Sequence, residues 1–487
     1  MPESMSDFPQ GDALTPALQS VLEAQRAAFL AECPVPAANR IDRLKRATAL
    51  LVDHQDELVE AMAEDYDGRP ALMSRFTDIA PAVKALGHAR KHLKRWMRPE
   101  KRSLEFPLGL LGARARVEYQ PKGVVGLISP WNFPVNLTFA PLAGILAAGN
   151  RVMIKPSEIT PHTSDVMARL IADYFDELEM TVITGGPEVG RAFTALPFDH
   201  LLFTGATEIG RHVMRAAAEN LTPVTLELGG KSPVILSRSA DLAQAAERLV
   251  LGKMMNAGQI CLAPDYVLAP RETVDAAEQA IADAAARMYP TIKDNPDYTA
   301  IVNARHHTRL METVADAREK GATVHVVNPA GETFSADDNS HVMPLHILRD
   351  VTDDMRAMQE ELFGPVLPLV ACDDIDAAID YVNRHPRPLG LYYFGADKAE
   401  ERRVLDRTVS GGVTVNDVLW HVSQEDLPFG GIGPSGMGVY HGVEGFYTFS
   451  HAKPVYRQTN RNLARIVGAI PPYGKKLEQT LKLQIRK

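Results

Sequence analysis

Apolar side chains return every three to four positions in IDRLKRATALLVDHQDELVEAMAEDY, residues 41–66, and again in PAVKALGHARKHLKRWM, residues 81–97. Both runs predict long amphipathic helices, the second ending before Pro99. Upstream, residues 1–14 are polar and read as loose, with Thr15-Pro16 as a helix cap followed by proline at the first helical position. The stretch RSLEFPLGLLGARARVEYQPKGVV alternates and is interrupted by proline and glycine, as hairpin strands are.

Beyond it, short apolar runs (VVGLISP, RVMIKP, MTVITG, HLLFTG, VTLELGG) alternate with helix-like segments such as LTFAPLAGILAAG, TSDVMARLIADYF and EIGRHVMRAAAEN. That rhythm predicts βαβ units around a buried parallel sheet. After Lys231 a second round (PVILS, DYVLAP, TVHVV, LPLVACD, LYYFG, VTVND) predicts another α/β unit. The fold class is therefore α/β, without an internal repeat or a low-complexity tract. The tail KKLEQTLKLQIRK is a short amphipathic helix at most, and no run approaches the ~20 apolar residues that cross a bilayer.

Length and charge narrow the partners. The 487 residues exceed the ~250–300 at which single cores divide, so two or more domains are expected. A content of 45% hydrophobic and 23% charged residues is that of a soluble globular protein, and a net charge of −9 argues against a nucleic-acid binder, which needs a basic face. Small-molecule partners fit better. The three cysteines form no CxxC pair, and MPESMSDFPQGD lacks the basic and apolar regions of a signal peptide, so a cytoplasmic protein without disulfides is expected.

Four positions could carry chemistry. Cys261 lies in NAGQICLAPD between small residues; a thiol there is a nucleophile if its thiolate is favoured, and a small core residue if not. Asn132 in PWNFP sets a carboxamide among bulky apolar neighbours, where it needs a partner or a task, though a turn residue would also fit. Glu227 in LELGGK ends a strand-like run, and Glu361 in EELFGP precedes an aromatic and a Gly-Pro turn; an edge-strand charge and a helix-end charge are the plainer readings. His88 and His92 are four apart but lack a third ligand, so they read as a solvated face and no metal is expected. The seven basic residues between Arg90 and Arg102 read as a helix end. Cys33 and Cys372 read as structural.

In order, PWNFP, KPSE, FTGATEIG, LELGGK, GQIC, EELFGP and PFGGIGPSG make the chain resemble the NAD(P)-dependent aldehyde dehydrogenase superfamily over nearly its whole length. The interval from Glu227 to Cys261, 34 residues (261 − 227), is also the family's usual one. NLTFAPLAGILAAGN, CLAPDYVL, RPLGLYYFG, VNDVLWHV and PSGMGVYHGVEGFYTFSHAK resemble the class 3 branch, and within it the bacterial enzymes for coniferaldehyde-like substrates.

The resemblance implies oxidation of an aromatic or medium-chain aldehyde to its acid. Cys261 would be the nucleophile, Asn132 part of the oxyanion hole and Glu227 the general base. For the cofactor, NAD with NADP possible, it implies Lys155 and Glu158 at the adenosine ribose, Gly205, Thr207 and Gly210 at the pyrophosphate, Leu228 and Gly229 close to the nicotinamide, Glu361 at its ribose and Phe363 against the ring. Many relatives carry serine where this chain has Ala206, so a phosphate contact there would come from backbone or water.

The implied architecture is an aldehyde dehydrogenase-like fold. It has a Rossmann-type NAD(P)-binding domain (1–98 and 120–226), an α/β catalytic domain (227–427), a return segment (428–448), and a small β oligomerisation arm with the C-terminal tail (99–119 and 449–487). Such an arm implies a homodimer, with a tetramer possible. A general fatty or semialdehyde dehydrogenase and a non-catalytic cofactor-binding protein are the competing readings.

Overall fold

The computed structural model describes residues 14–106, 108–334 and 340–485. Most of the polar N-terminal stretch expected to be loose, residues 1–13, lies outside the described residues. The helix Leu14–Glu32 already contains Thr15, so Thr15 does not cap it: Leu14 is buried with Leu18 and Leu22 and draws the helix one residue earlier. The pattern over 41–66 yields two helices, Ala37–Asp53 and Gln55–Asp65, divided at His54. The division lets the two halves pack on different partners, the first on the helix Ala80–Trp96 and the second on Pro161–Tyr174. A wide π-turn, Arg75–Ile79, leads into Ala80–Trp96 and carries the buried Asp78.

Three sheets follow. In the six-stranded one, Val124–Ile128, Arg151–Lys155 and Met180–Val182 run side by side in parallel, while His200–Thr204 and Val224–Glu227 extend the other flank. Gly436–Met437 returns from far along the chain to close that flank antiparallel. Strands buried on both faces explain the continuous apolar runs. The helix Asn136–Ala148, apolar nearly all round, is buried against Ala80–Trp96, and its end at Gly149 uses a left-handed φ of +92°.

The chain leaves this sheet at Glu227 and enters the seven-stranded sheet at Ser232. There Ser232–Leu236, Pro264–Pro270, Val366–Cys372, Leu345–Arg349, Gly390–Phe394 and Gly412–Val415 are parallel, and Thr323–Val327 is antiparallel at one edge. Leu345–Arg349 was not expected from the sequence. The third sheet is antiparallel, with Arg114–Pro121 between Glu100–Arg102 and Ser450–Arg457. Among the described residues no helix is long and apolar enough to cross a membrane.

Candidate active site

In the six-stranded sheet the strand order reverses at Val124–Ile128, and ligands of open parallel sheets bind beyond the carboxyl ends of strands at such a point. Four strands end there in residues already singled out. Ile128 leads to Asn132, Lys155 closes its strand, Thr204 leads to Gly205, and Glu227 is the last residue of its own strand.

Cys261 follows a short 3-10 turn, Met255–Gly258, on the way into Pro264–Pro270. Asn256 and Ala257 have φ of 50° and 52°, a left-handed backbone that is costly for alanine, and Gly258 is needed because a Cβ would stand 2.6 Å from the Gly364 carbonyl oxygen. Strain and close approach thus present the thiol, which is partly exposed, while Cys372 is buried and Cys33 exposed.

Asn132 is 3% exposed, so it is no surface turn residue. Its Nδ2 donates to the Gln259 carbonyl at 3.1 Å, which leaves the second carboxamide hydrogen uncommitted. Its backbone oxygen accepts from Asn256 Nδ2 at 3.1 Å and from Arg69 Nη1 at 3.2 Å. Arg69 is fully buried and paired with Asp78 at 2.8 Å; Asp78 in turn accepts the Val135 and Asn136 N–H groups at 3.1 Å each. The Arg69 guanidinium also faces the rings of Tyr66 and Phe133. Neither Arg69 nor Asp78 stood out in the sequence, because the pair is recognisable only once the π-turn brings both under PWNFP.

Glu227 is 2% exposed, on a strand paired on both sides, which excludes the edge-charge reading. Burial pushes its carboxyl up to about 8, partly offset by a weak hydrogen bond with the Cys261 thiol. One carboxyl oxygen, Oε1, has no partner. The thiol is itself raised well above its ordinary value, by burial first and then by the negative charges of Glu227 and Glu361. The two groups therefore compete for one proton and titrate as a pair.

On the cofactor side, Lys155 is buried and donates to Glu158 Oε2 at 2.8 Å; burial raises the Glu158 carboxyl, but the Lys155 hydrogen bond, a bond from its own backbone N–H and the Lys155 charge together hold it below its usual value. The helix Thr207–Glu219 starts after Ala206 with no side-chain cap, so its first N–H groups face outward unclaimed by a cap. Gly205 and Gly210 are packed against Phe203 and Leu228, where a Cβ would stand 2.6 Å away in each case. Thr207 Oγ1 is tied to the Pro434 carbonyl at 3.2 Å, and the buried Leu228 donates its N–H to Ser435 at 3.1 Å, so both anchor the returning segment. A Cβ on Gly229 would stand 2.1 Å from Glu361 Oε2. Glu361, two residues beyond the helix Arg356–Gln359, accepts from the Gly230 N–H, and burial pushes it up to about 8. Phe363, at a φ of 50°, sets its ring edge-on to Trp131 at 5.2 Å.

The geometry also shows residues that sequence patterns passed over. Lys253 is 1% exposed, its Nζ has no hydrogen-bond partner, and burial lowers it to about 8. Lys231 and Asp265 form a buried ion pair beside Glu361. His88 and His92 are half-buried and stack with Trp96, so the solvated-face reading gives way to an aromatic ladder. No group of three or more metal-ligating side chains occurs among the described residues.

The family model described as "Aldehyde dehydrogenase family" matches residues 4–455. A "Probable coniferyl aldehyde dehydrogenase" of Caulobacter vibrioides is 58% identical over 98% of this chain and 98% of its own. A "Coniferyl aldehyde dehydrogenase" of a Pseudomonas species is 51% identical over 96% of each. Among solved structures, the substrate-bound state of Staphylococcus aureus AldH superposes with a TM-score of 0.89 at 35% identity, covering 96% of this chain and 99% of that one. The NAD+ complex of an aldehyde dehydrogenase from Bacillus cereus gives 0.81 at 26% identity, covering 91% and 89%.

Proposed function

The chain belongs to the aldehyde dehydrogenase family, and from that premise we propose that it oxidises coniferaldehyde, or an aldehyde of the same aromatic class, to the carboxylic acid. The observation that carries the chemistry is the buried Glu227 carboxyl, pushed up to about 8, set against the Cys261 thiol. The aromatic substrate is supported by the names of relatives that share half or more of their residues with this chain.

The residues present suit NAD(P). An unpartnered Glu361 oxygen, the Gly229 cradle that a Cβ would fill, and an uncapped helix start offer acceptors, space and donors. Lys155 and Glu158 would hold the adenosine ribose, the backbone from Gly205 to Gly210 the pyrophosphate, Leu228 and Gly229 would line the nicotinamide, Glu361 would hold its ribose, and Phe363 would pack on the ring. The Glu158 carboxylate repels a 2′-phosphate, so NAD is preferred and NADP is the weaker alternative. Held by these residues, NAD(P)+ would supply the hydride acceptor needed for a thiohemiacetal on Cys261 to become a thioester.

Cys261 forms that thiohemiacetal as its sulfur bonds the carbonyl carbon and its proton passes to Glu227. The oxygen, now anionic, accepts from the free carboxamide N–H of Asn132, whose backbone the Arg69–Asp78 pair holds in place, and from the Cys261 backbone N–H. Glu227, once it has released that proton, removes one from water; the hydroxide attacks the thioester carbon, the carbon–sulfur bond breaks, and Cys261 regains its thiol. A base near 8 suits both transfers better than an ordinary carboxylate would.

Comparing kcat/KM for coniferaldehyde, hexanal and succinic semialdehyde tests the substrate: the aromatic is expected to be favoured, and the absence of that preference refutes it. Replacing Cys261 by Ser with cofactor binding retained tests the thioester route, which unaltered turnover would refute. We further infer a cytoplasmic homodimer joined through the three-stranded sheet. Ser450–Arg457 is its edge strand, largely exposed, and an unpaired edge of this length invites pairing with a second copy.

A further inference from the structure

Glu361 receives little direction from its own side chain. One oxygen accepts from Gly230 and the other has no partner. Its orientation must come from the backbone, and both peptide groups that flank its Cα are gripped by side chains from elsewhere in the chain. The Glu360 carbonyl accepts from Lys231 Nζ at 3.0 Å, and the Leu362 N–H donates to Asp265 Oδ2 at 2.9 Å. Lys231 and Asp265 are themselves an ion pair, with side chains 12% and 4% exposed. Lys231 also holds the Ala357 carbonyl, in the helix that leads into this loop, at 2.7 Å, and Arg309 Nη2 donates to the Leu362 carbonyl at 2.7 Å.

We propose that the Lys231–Asp265 pair is a positioning device that presets Glu361 for the cofactor ribose, a role that rests on the cofactor reading of Glu361 given above. Lys231 directly follows Gly229 and Gly230, so one segment lines the cofactor and fixes the loop facing it. A buried pair bridged to three backbone groups holds geometry in a way that an apolar contact would not, because each hydrogen bond has a direction. Lys231 and Asp265 are not catalytic residues: they act through Glu361.

The test is a double-mutant cycle on NADH affinity, read by fluorescence with the full-length protein, alongside steady-state kinetics. Lys231→Met keeps the length of the stem and removes the three donors. It is expected to weaken NADH binding by about five-fold or more and to raise KM for NAD while KM for aldehyde stays put, as the loss of directed hydrogen bonds to a cofactor-holding loop should. In a Glu361→Gln background the same change is expected to cost less than about two-fold, since residues acting through one group are not additive. Asp265→Asn, which retains an oxygen for Leu362 but not the charge facing Lys231, is the second variant and is expected to act in the same direction should Lys231→Met fail to fold. Additive effects, or unchanged affinity in a folded variant when Glu361→Gln does weaken binding, would overturn the positioning role alone. Unchanged affinity in Glu361→Gln would overturn the cofactor reading of Glu361 and the positioning role with it.

Discussion

Replacing Glu227 by Gln separates what the buried carboxyl does for catalysis from what it does to stability. In the folded protein the group is pushed up to about 8 from an ordinary 4.5. Between those values the folded chain keeps a proton that the unfolded chain has released, so stability falls as pH rises through the window. The full difference, at 1.36 kcal/mol per unit, is about 5 kcal/mol above pH 8. With an unfolding entropy of roughly 2 cal/mol/K per residue, a chain of this length loses about 1 °C of Tm per kcal/mol, so the carboxylate depresses the alkaline Tm by roughly 5 °C. Glutamine cannot ionise and should remove that share of the decline, leaving the share of Glu361, which burial also pushes up to about 8. Its turnover should fall by about 10²-fold or more, the usual worth of a positioned base. The unsubstituted enzyme should gain about ten-fold in activity from pH 7 to 9, as the ionised fraction rises from about a tenth to nine-tenths. Thermal unfolding at fixed scan rate from pH 6 to 9, with parallel rate measurements, decides it. Identical Tm slopes in the two proteins, or turnover preserved within a few-fold, would refute the assignment.

Arg69→Met should destabilise the protein by about 3–5 kcal/mol, because Asp78 is left buried and uncompensated; Tm and chemical denaturation measure it, and a loss under 1 kcal/mol would contradict the buried pair. Gly229→Ala should abolish cofactor binding, since the new methyl would stand 2.1 Å from Glu361 Oε2, and NADH fluorescence titration reads the outcome directly. Glu158→Gln should raise the NADP-to-NAD ratio of kcat/KM by about ten-fold, as removal of one negative charge near a 2′-phosphate is worth 1–2 kcal/mol; an unchanged ratio would remove Glu158 from cofactor selection.

Local patterns in the chain revealed much, and long-range pairings little. Continuous apolar runs such as VVGLI and RVMIK exposed the parallel strands because both faces of that sheet are covered. Leu345–Arg349 escaped because LHILR carries two polar residues and a single β-branched one, whereas TVHVV has four β-branched residues around its histidine; the structure buries His346 with its ring bonded to the Pro344 carbonyl. His54 divides a periodic stretch whose hydrophobic spacing continues across it, so only the tertiary partners show the break. Ordered motifs pointed to Cys261, Asn132, Glu227 and Glu361, yet the groups that orient them lie tens of residues away. Asp265 sits four positions past Cys261 and bonds to Leu362, a relation that no window of sequence contains.

The pairing of Gly436 with Glu227 joins residues 209 positions apart (436 − 227). Gly436–Met437 closes the flank on which Glu227 lies, so the desolvation of that carboxyl depends on a strand made 209 positions later. Without that strand Val224–Glu227 would be an edge of the sheet, where water reaches a carboxylate. A chain ending short of residue 436 should therefore keep Glu227 but lose the strand that shuts water from it, and its carboxyl should titrate nearer the ordinary 4.5.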